Sequence, residues 1–279
     1  MNFRFLTLLL VCLIFPGAGS ANQADPVATR IRIGGSGGPL GTMQLLAEAF
    51  KKIHPQATVV IVPSLGSGGG IKALRAGAID LALTSRPLKD AERGPDTSAT
   101  EYARTPFVFA AAVGTNVLAI TTPELIGIYT GERKTWPDGR PLRLVLRPDT
   151  ESDTDIVKSL SPEMNLAVKT AQGREGMIMA LTDKASADSL ETIPGALGAT
   201  TLAQIISEKR ALQALALNGV TPSLKALAEG RYPYYKTFFM VSGPKTSPLT
   251  QQFAVFVRSA AGREILEQNG HWVAPTNQR

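Results

Sequence analysis

Twice in its first third the chain passes from a β-branched stretch through glycines and a serine into a helical pattern, and this repetition constrains the fold more than any other feature. Thr29-Arg30-Ile31-Arg32-Ile33 leads into Gly34-Gly35-Ser36-Gly37-Gly38, and Thr58-Val59-Val60-Ile61-Val62 leads to Gly66-Ser67-Gly68-Gly69-Gly70-Ile71-Lys72. Between them, Met43, Leu46, Ala47 and Phe50 recur at helical spacing opposite Gln44, Glu48, Lys51 and Lys52. A strand–helix–strand unit of this length joins parallel strands and puts both loops at the same end of the sheet, where α/β folds bind ligands. Glycines admit close approach to the backbone, and the first amides of a helix lack an intrahelical acceptor. Each loop is therefore a candidate anion seat, with Ser36 and Ser67 adding hydroxyls. One such loop alone reads equally well as a flexible turn; two at one end of a sheet point to a shared ligand.

Residues 1 to 21 read as a cleavable secretory signal: Arg4, the apolar run Phe5 to Phe15, then the small residues of Pro16-Gly17-Ala18-Gly19-Ser20-Ala21. The run is too short to span a bilayer, and no later stretch approaches about 20 apolar residues. Cys12, the only cysteine, lies within the signal after Val11, where a lipid-attachment site requires a small residue. The exported chain thus has no disulfide framework, thiol nucleophile or thiolate metal site. With Arg4 removed, the net charge of +6 falls by one, and the basic residues are scattered without an aromatic-interleaved stripe, which argues against nucleic acid. No clustered His or Cys implies a metal.

The remaining pattern is α/β over two domains. A short helix from Ile71 to Ala76 and a strand from Ala78 to Leu83 deliver Thr84-Ser85-Arg86-Pro87 to the loop end of the sheet. Lys89 to Thr100 reads as an exposed loop, and Thr105 to Ala110 as a crossing into a second domain. There Pro123 opens a helix, and the strand Leu142 to Leu146 reaches a third loop, Arg147-Pro148-Asp149-Thr150-Glu151-Ser152-Asp153-Thr154. Arg147 suits an oxyanion, Asp149 is placed to hold its guanidinium, and Ser152, Asp153 and Thr154 are good N-caps for a helix from Asp155 to Leu160. Glu175 to Leu181 reads as helix, Leu212 to Leu217 as the return crossing, and Leu249 to Gln268 as one closing helix.

In these motifs the chain resembles the periplasmic phosphate-binding proteins of ABC importers. The likeness rests on Gly35-Ser36-Gly37-Gly38, GSGGGIKALRAG at Gly66 to Gly77, IDLALTSRPL at Ile79 to Leu88 and LIGIYTGERKTWPDG at Leu125 to Gly139. It continues through IPGALG at Ile193 to Gly198 and NGVTPSLKALAEGRYPYYK at Asn218 to Lys236. The resemblance implies a two-lobed type II binding-protein fold, each lobe a mostly parallel sheet flanked by helices, with residues 28–105 plus 217–279 in lobe I and 106–216 in lobe II. It implies a monomeric periplasmic receptor, not an enzyme and without a cofactor, that captures phosphate or a similar oxyanion between the lobes and delivers it to a permease in the inner membrane. The implied ligand set is Ser36, Gly37, Gly38, Ser67, Gly68 and Ser85 from one lobe and Arg147, Asp149, Ser152 and Thr154 from the other.

Two departures from the family pattern stand out. Ser85 replaces the aspartate that accepts the proton of phosphate, and the third loop is one residue longer with two extra acids, so Asp153 or Glu151 is the expected replacement acceptor. A hydrolase is the competing reading, because Gly34-Gly35-Ser36-Gly37-Gly38 fits G-x-S-x-G and His271 lies late in the chain. Ser36 follows the first strand rather than several, however, and His271 fits a C-terminal packing segment better. Neither glycine loop completes a dinucleotide fingerprint, and Lys72 precedes Ala73 where a P-loop needs Ser or Thr. A receptor that senses or scavenges the anion without a permease is the other alternative.

Overall fold

The alternation in Arg30-Ile31-Arg32-Ile33 forms strand β1 (Arg30–Gly35), with Ile31 and Ile33 fully buried while Arg32 pairs with Asp80 at 2.8 Å on the outer side. These features come from a computed structural model that describes residues 29–275; the secretory signal and Cys12 lie outside the described residues. Helix α1 (Leu40–Ile53) buries Met43, Leu46, Ala47 and Phe50, and leads into β2 (Thr58–Ile61). Helix α2 (Gly66–Arg75) and β3 (Leu81–Thr84) follow, and both β2 and β3 pair in parallel with β1.

Strand β4 (Ser98–Ala112) is fifteen residues long and crosses from one half of the molecule to the other. The second half holds β5 (Ala119–Ile120), α3 (Thr122–Thr130), β6 (Arg143–Leu146), α4 (Ser152–Lys158), α5 (Pro162–Gln172), β7 (Ile178–Met179), α6 (Asp183–Thr192) and β8 (Ala196–Thr201). Helix α7 (Leu202–Ser207), β9 (Leu212–Ala214), β10 (Ala216–Leu217) and α8 (Leu224–Ala228) come next, and β11 (Tyr235–Ser242) returns to pair antiparallel with β3 and β4. Helices α9 (Pro248–Arg258) and α10 (Ala260–Gln268) close the chain. The main sheet runs β2-β1-β3-β11-β4-β8-β6-β7 with β9 also on β4, and helices cover it.

Two large cores flank the crossing. Ile31, Ile33, Leu46, Phe50, Tyr102, Phe238 and Phe253 form one; Phe107, Phe109, Leu125, Leu146, Met164, Leu197 and Tyr232 form the other. This is the two-lobed α/β arrangement the sequence implies. Leu217, Ala226 and Tyr232, expected in the first lobe, pack in the second core, and Tyr232 donates its hydroxyl to the Phe107 carbonyl at 2.8 Å.

Three local expectations are corrected. Glu175 to Leu181 is not helical: Gly176 turns at φ +74°, and Ile178 and Met179 pair with Val145 and Leu146, so the sheet overrides local helix propensity. The closing helix is two, because Ser259 is extended and its hydroxyl accepts from Gly262 N at 3.3 Å as a fresh N-cap. The second glycine loop is itself the start of α2, and Gly70 lets that helix sit on β1, where an added Cβ would lie 2.6 Å from Gly35 Cα. Gly35 has φ +131°, and a Cβ there would meet the Leu83 carbonyl oxygen at 2.1 Å. Gly35→Ala is therefore expected to cost about 3 kcal/mol in denaturant unfolding, from backbone strain plus overpacking; a loss below about 1 kcal/mol would show that the β1–β3 contact yields.

Candidate functional site

The carboxyl ends of β1 and β3 bring three sequence-predicted serines together. Ser36 N donates to the Leu83 carbonyl at 2.9 Å, which fixes its turn, and its hydroxyl meets that of Ser85. Ser67, in the first turn of α2, accepts from Ser85 N at 3.1 Å. Ser36 and Ser85 are buried. Across from them Arg147 extends from the end of β6, held by hydrogen bonds from Nε to Asp153 Oδ2 at 3.0 Å and from Nη1 to the Ala180 carbonyl at 2.6 Å.

Around Arg147 the site is dense in charge. Its Nη2 lies 3.4 Å from Glu151 Oε2 and 3.8 Å from Asp183 Oδ2. Lys236 Nζ donates to Asp183 Oδ1 at 3.1 Å and is also in ion contact with Asp153. Asp183 Oδ2 accepts the Gly37 amide at 3.0 Å. Arg147, Lys236, Asp153 and Asp183 are each 3 to 6% exposed. Burial alone would raise the Asp183 carboxyl, but the charges of Lys236 and Arg147 and the bonds from Lys236 and Gly37 hold it below its ordinary value. Burial likewise opposes charge on Lys236, and Asp153 and Asp183 overcome it, so the ammonium is held above its ordinary pKa. Glu151 is pushed up, chiefly by burial, with Asp183 and Asp153 adding to the effect against the opposing charge of Arg147.

Of the predicted residues, Ser36, Gly37, Ser67, Ser85 and Arg147 converge, and Gly38 lies beside them: a Cβ there would be 3.7 Å from Asp183 Oδ1. Gly68 and Ser152 line a cavity of about 340 Å³ together with Ser67, Glu151, Lys72 and Arg86. Asp149 is corrected: it does not hold the guanidinium but lies in the loop before α4 and pairs with Lys158, while Asp153, in the first turn of α4, takes that task. Thr154 is also corrected, since its hydroxyl donates to the Arg147 and Pro148 carbonyls at 3.1 and 2.8 Å and braces the loop. Helix α4 begins at Ser152, so Ser152, Asp153 and Thr154 occupy its first turn and are not its N-cap.

Asp153 and Glu151, the expected replacement acceptors, are engaged with Arg147. Asp183 and Lys236 were not among the predicted residues. Lys236 carries a readable signal, since it alternates with Phe238 and Met240 on the inward face of β11. Asp183 has none, because an acid after Thr182 at a helix start reads as ordinary dipole complementation. The hydrolase geometry is not supported: Ser36 meets Ser85, whereas His271 is fully buried with Nε2 on Thr42 Oγ1 at 2.8 Å, its pKa pushed down by burial to about 3.

Comparisons with known proteins agree with this architecture. Residues 20–261 match the family model described as a PBP superfamily domain. The phosphate-binding protein PstS of Bacillus subtilis is 25% identical over 247 residues, spanning 86% of this chain and 79% of the relative. Protein SphX of Synechococcus elongatus is 28% identical over 251 residues, spanning 82% and 72%. Among solved structures, a protein of Clostridium perfringens assigned as a phosphate ABC transporter substrate-binding protein, with phosphate bound, superposes with a TM-score of 0.74 at 20% identity. That alignment covers 88% of this chain and 100% of the other.

Proposed function

The chain belongs to the PBP superfamily, and on that premise we propose that its cleft captures phosphate or a similar tetrahedral oxyanion and hands it to an ABC importer. The observation that carries this reading is the burial of the Ser36 and Ser85 hydroxyls next to the Gly37 amide, which Asp183 links to the buried Arg147. A guanidinium fork matches an oxyanion in two places at once, while hydroxyls and a backbone amide satisfy its remaining oxygens. Lys236 adds a second buried cation. The phosphate-binding relatives support phosphate as the first ligand to try.

The lobes divide, in this reading, within β4 between Ala103 and Phe107 and within residues 234–238, where side chains pass from one core to the other. Both strands then act as hinges. Each lobe supplies part of the donor set, so only the closed form satisfies the ligand, which shifts the population toward closure. The closed receptor, exported and acting as a monomer in the periplasm, presents its lobes to the inner-membrane permease. Titration with phosphate, arsenate, sulfate and molybdate by calorimetry tests the site: saturable one-site binding of phosphate and arsenate is expected. Failure of all four to bind would overturn it.

A further inference from the structure

Asp183 is an anion held by the very groups that a bound anion needs. Its Oδ2 takes the Gly37 amide at 3.0 Å and lies 3.8 Å from Arg147, and its Oδ1 takes Lys236 at 3.1 Å. The fit is close, since a Cβ on Gly37 would stand 2.8 Å from Oδ2. Lys236 already has a carboxylate partner in Asp153. With Glu151 also reaching Arg147, Asp183 makes three acids against the two cations Arg147 and Lys236. Such a cluster receives an anion poorly unless one acid leaves it. Asp183 is the acid placed to leave: it is the first residue of α6, and the helix start is capped independently by Thr182, whose hydroxyl accepts from Ala185 N at 3.0 Å.

Building on the reading of the cleft as an oxyanion site, we propose that Asp183 is a specificity-determining internal competitor, a tethered carboxylate that the incoming ligand must displace from Gly37, Lys236 and Arg147. A tethered group acts at an effective concentration on the order of millimolar or above. A free monoanion such as formate offers the site nothing that the Asp183 carboxylate does not already supply, and so is excluded. A tetrahedral dianion brings more oxygens and more charge to the guanidinium, the ammonium and the serine hydroxyls, and wins the exchange. Selection among anions is then built into the Asp183 carboxylate rather than into the shape of the cleft alone.

Asp183→Asn keeps the side-chain shape and removes the charge. Phosphate and formate are titrated by calorimetry into the purified native protein and the variant, with far-ultraviolet circular dichroism as the folding check. Phosphate is expected to bind the variant at least tenfold more tightly than the native protein, and formate to bind the variant but not the native protein. If the Asn variant does not fold, Asp183→Ser removes the same charge and repeats the comparison. Phosphate binding that is unchanged or weaker in a folded variant overturns the proposal while leaving the anion site standing; a weaker one marks Asp183 as an acceptor for the ligand's own proton. Binding of neither anion by either protein overturns the anion site and this proposal together.

Discussion

Lys236→Met is expected to destabilise the protein by about 3–5 kcal/mol at neutral pH, with a penalty that shrinks as the solution is acidified. The lysine is 3% exposed and its ammonium touches Asp153 and Asp183, which are 3% and 6% exposed. Methionine fills the stem's volume but leaves two neighbouring carboxylates facing only Arg147 as a close cation. In the native protein the Asp183 pKa is lowered. Its contribution to stability is therefore present above its unfolded value of about 3.9 and lost as pH falls through the lowered folded value. In the variant, with Lys236 gone, burial and the neighbouring acid raise the Asp183 carboxyl above its unfolded value. The folded state then takes up a proton before the unfolded state does, and acid stabilises the variant relative to the native protein. Urea unfolding at several values between about pH 7 and pH 4 follows the gap. A gap that does not narrow would show that the two carboxylates are not left unpaired by the substitution.

Arg147→Ala carries the second large effect, and it falls on both binding and folding. The guanidinium is a buried planar fork, and its removal is expected to weaken phosphate binding at least tenfold, about 1.4 kcal/mol or more. It also strips Asp153 of one of its two cationic partners, leaving only Lys236, and leaves the buried Ala180 carbonyl without the donor that now lies at 2.6 Å, so a stability loss of about 3–5 kcal/mol accompanies it. Arg147→Lys separates the two effects. It restores a positive charge among the acids and recovers part of the stability, but a point charge on a flexible stem does not replace the fork, so affinity stays low. Calorimetry that finds phosphate affinity unchanged in Arg147→Ala would remove Arg147 from the site.

The backbone plan of the cleft was legible because it rests on local rules. β-branched runs ending in glycine and serine specify strands that stop abruptly, amphipathic spacing specifies the crossover helix, and together they place Ser36, Ser67 and Ser85 at one end of a parallel sheet. Arg147 follows from the same logic, being the first residue after a buried strand. The third loop was less legible. There α4 begins at Ser152, which leaves Asp149 in the loop beside Lys158 and puts Asp153 in the first helical turn beside Arg147. A one-residue offset at a helix start costs little locally but turns the side chains by about 100°, as 3.6 residues per turn require.

The chain's own order of residues determined the α/β class, the crossover units and the set of hydroxyl and amide donors, since each depends on neighbours within about one helical turn or one strand. Tertiary structure alone decided the charges of the site. Lys236 and Asp183 are 53 residues apart, and Asp183 and Gly37 are 146 apart. Their pairing depends on β11 returning between β3 and β4 and on α6 aiming its first residue across the cleft, and Coulomb interactions among buried groups follow distance in space rather than position along the chain.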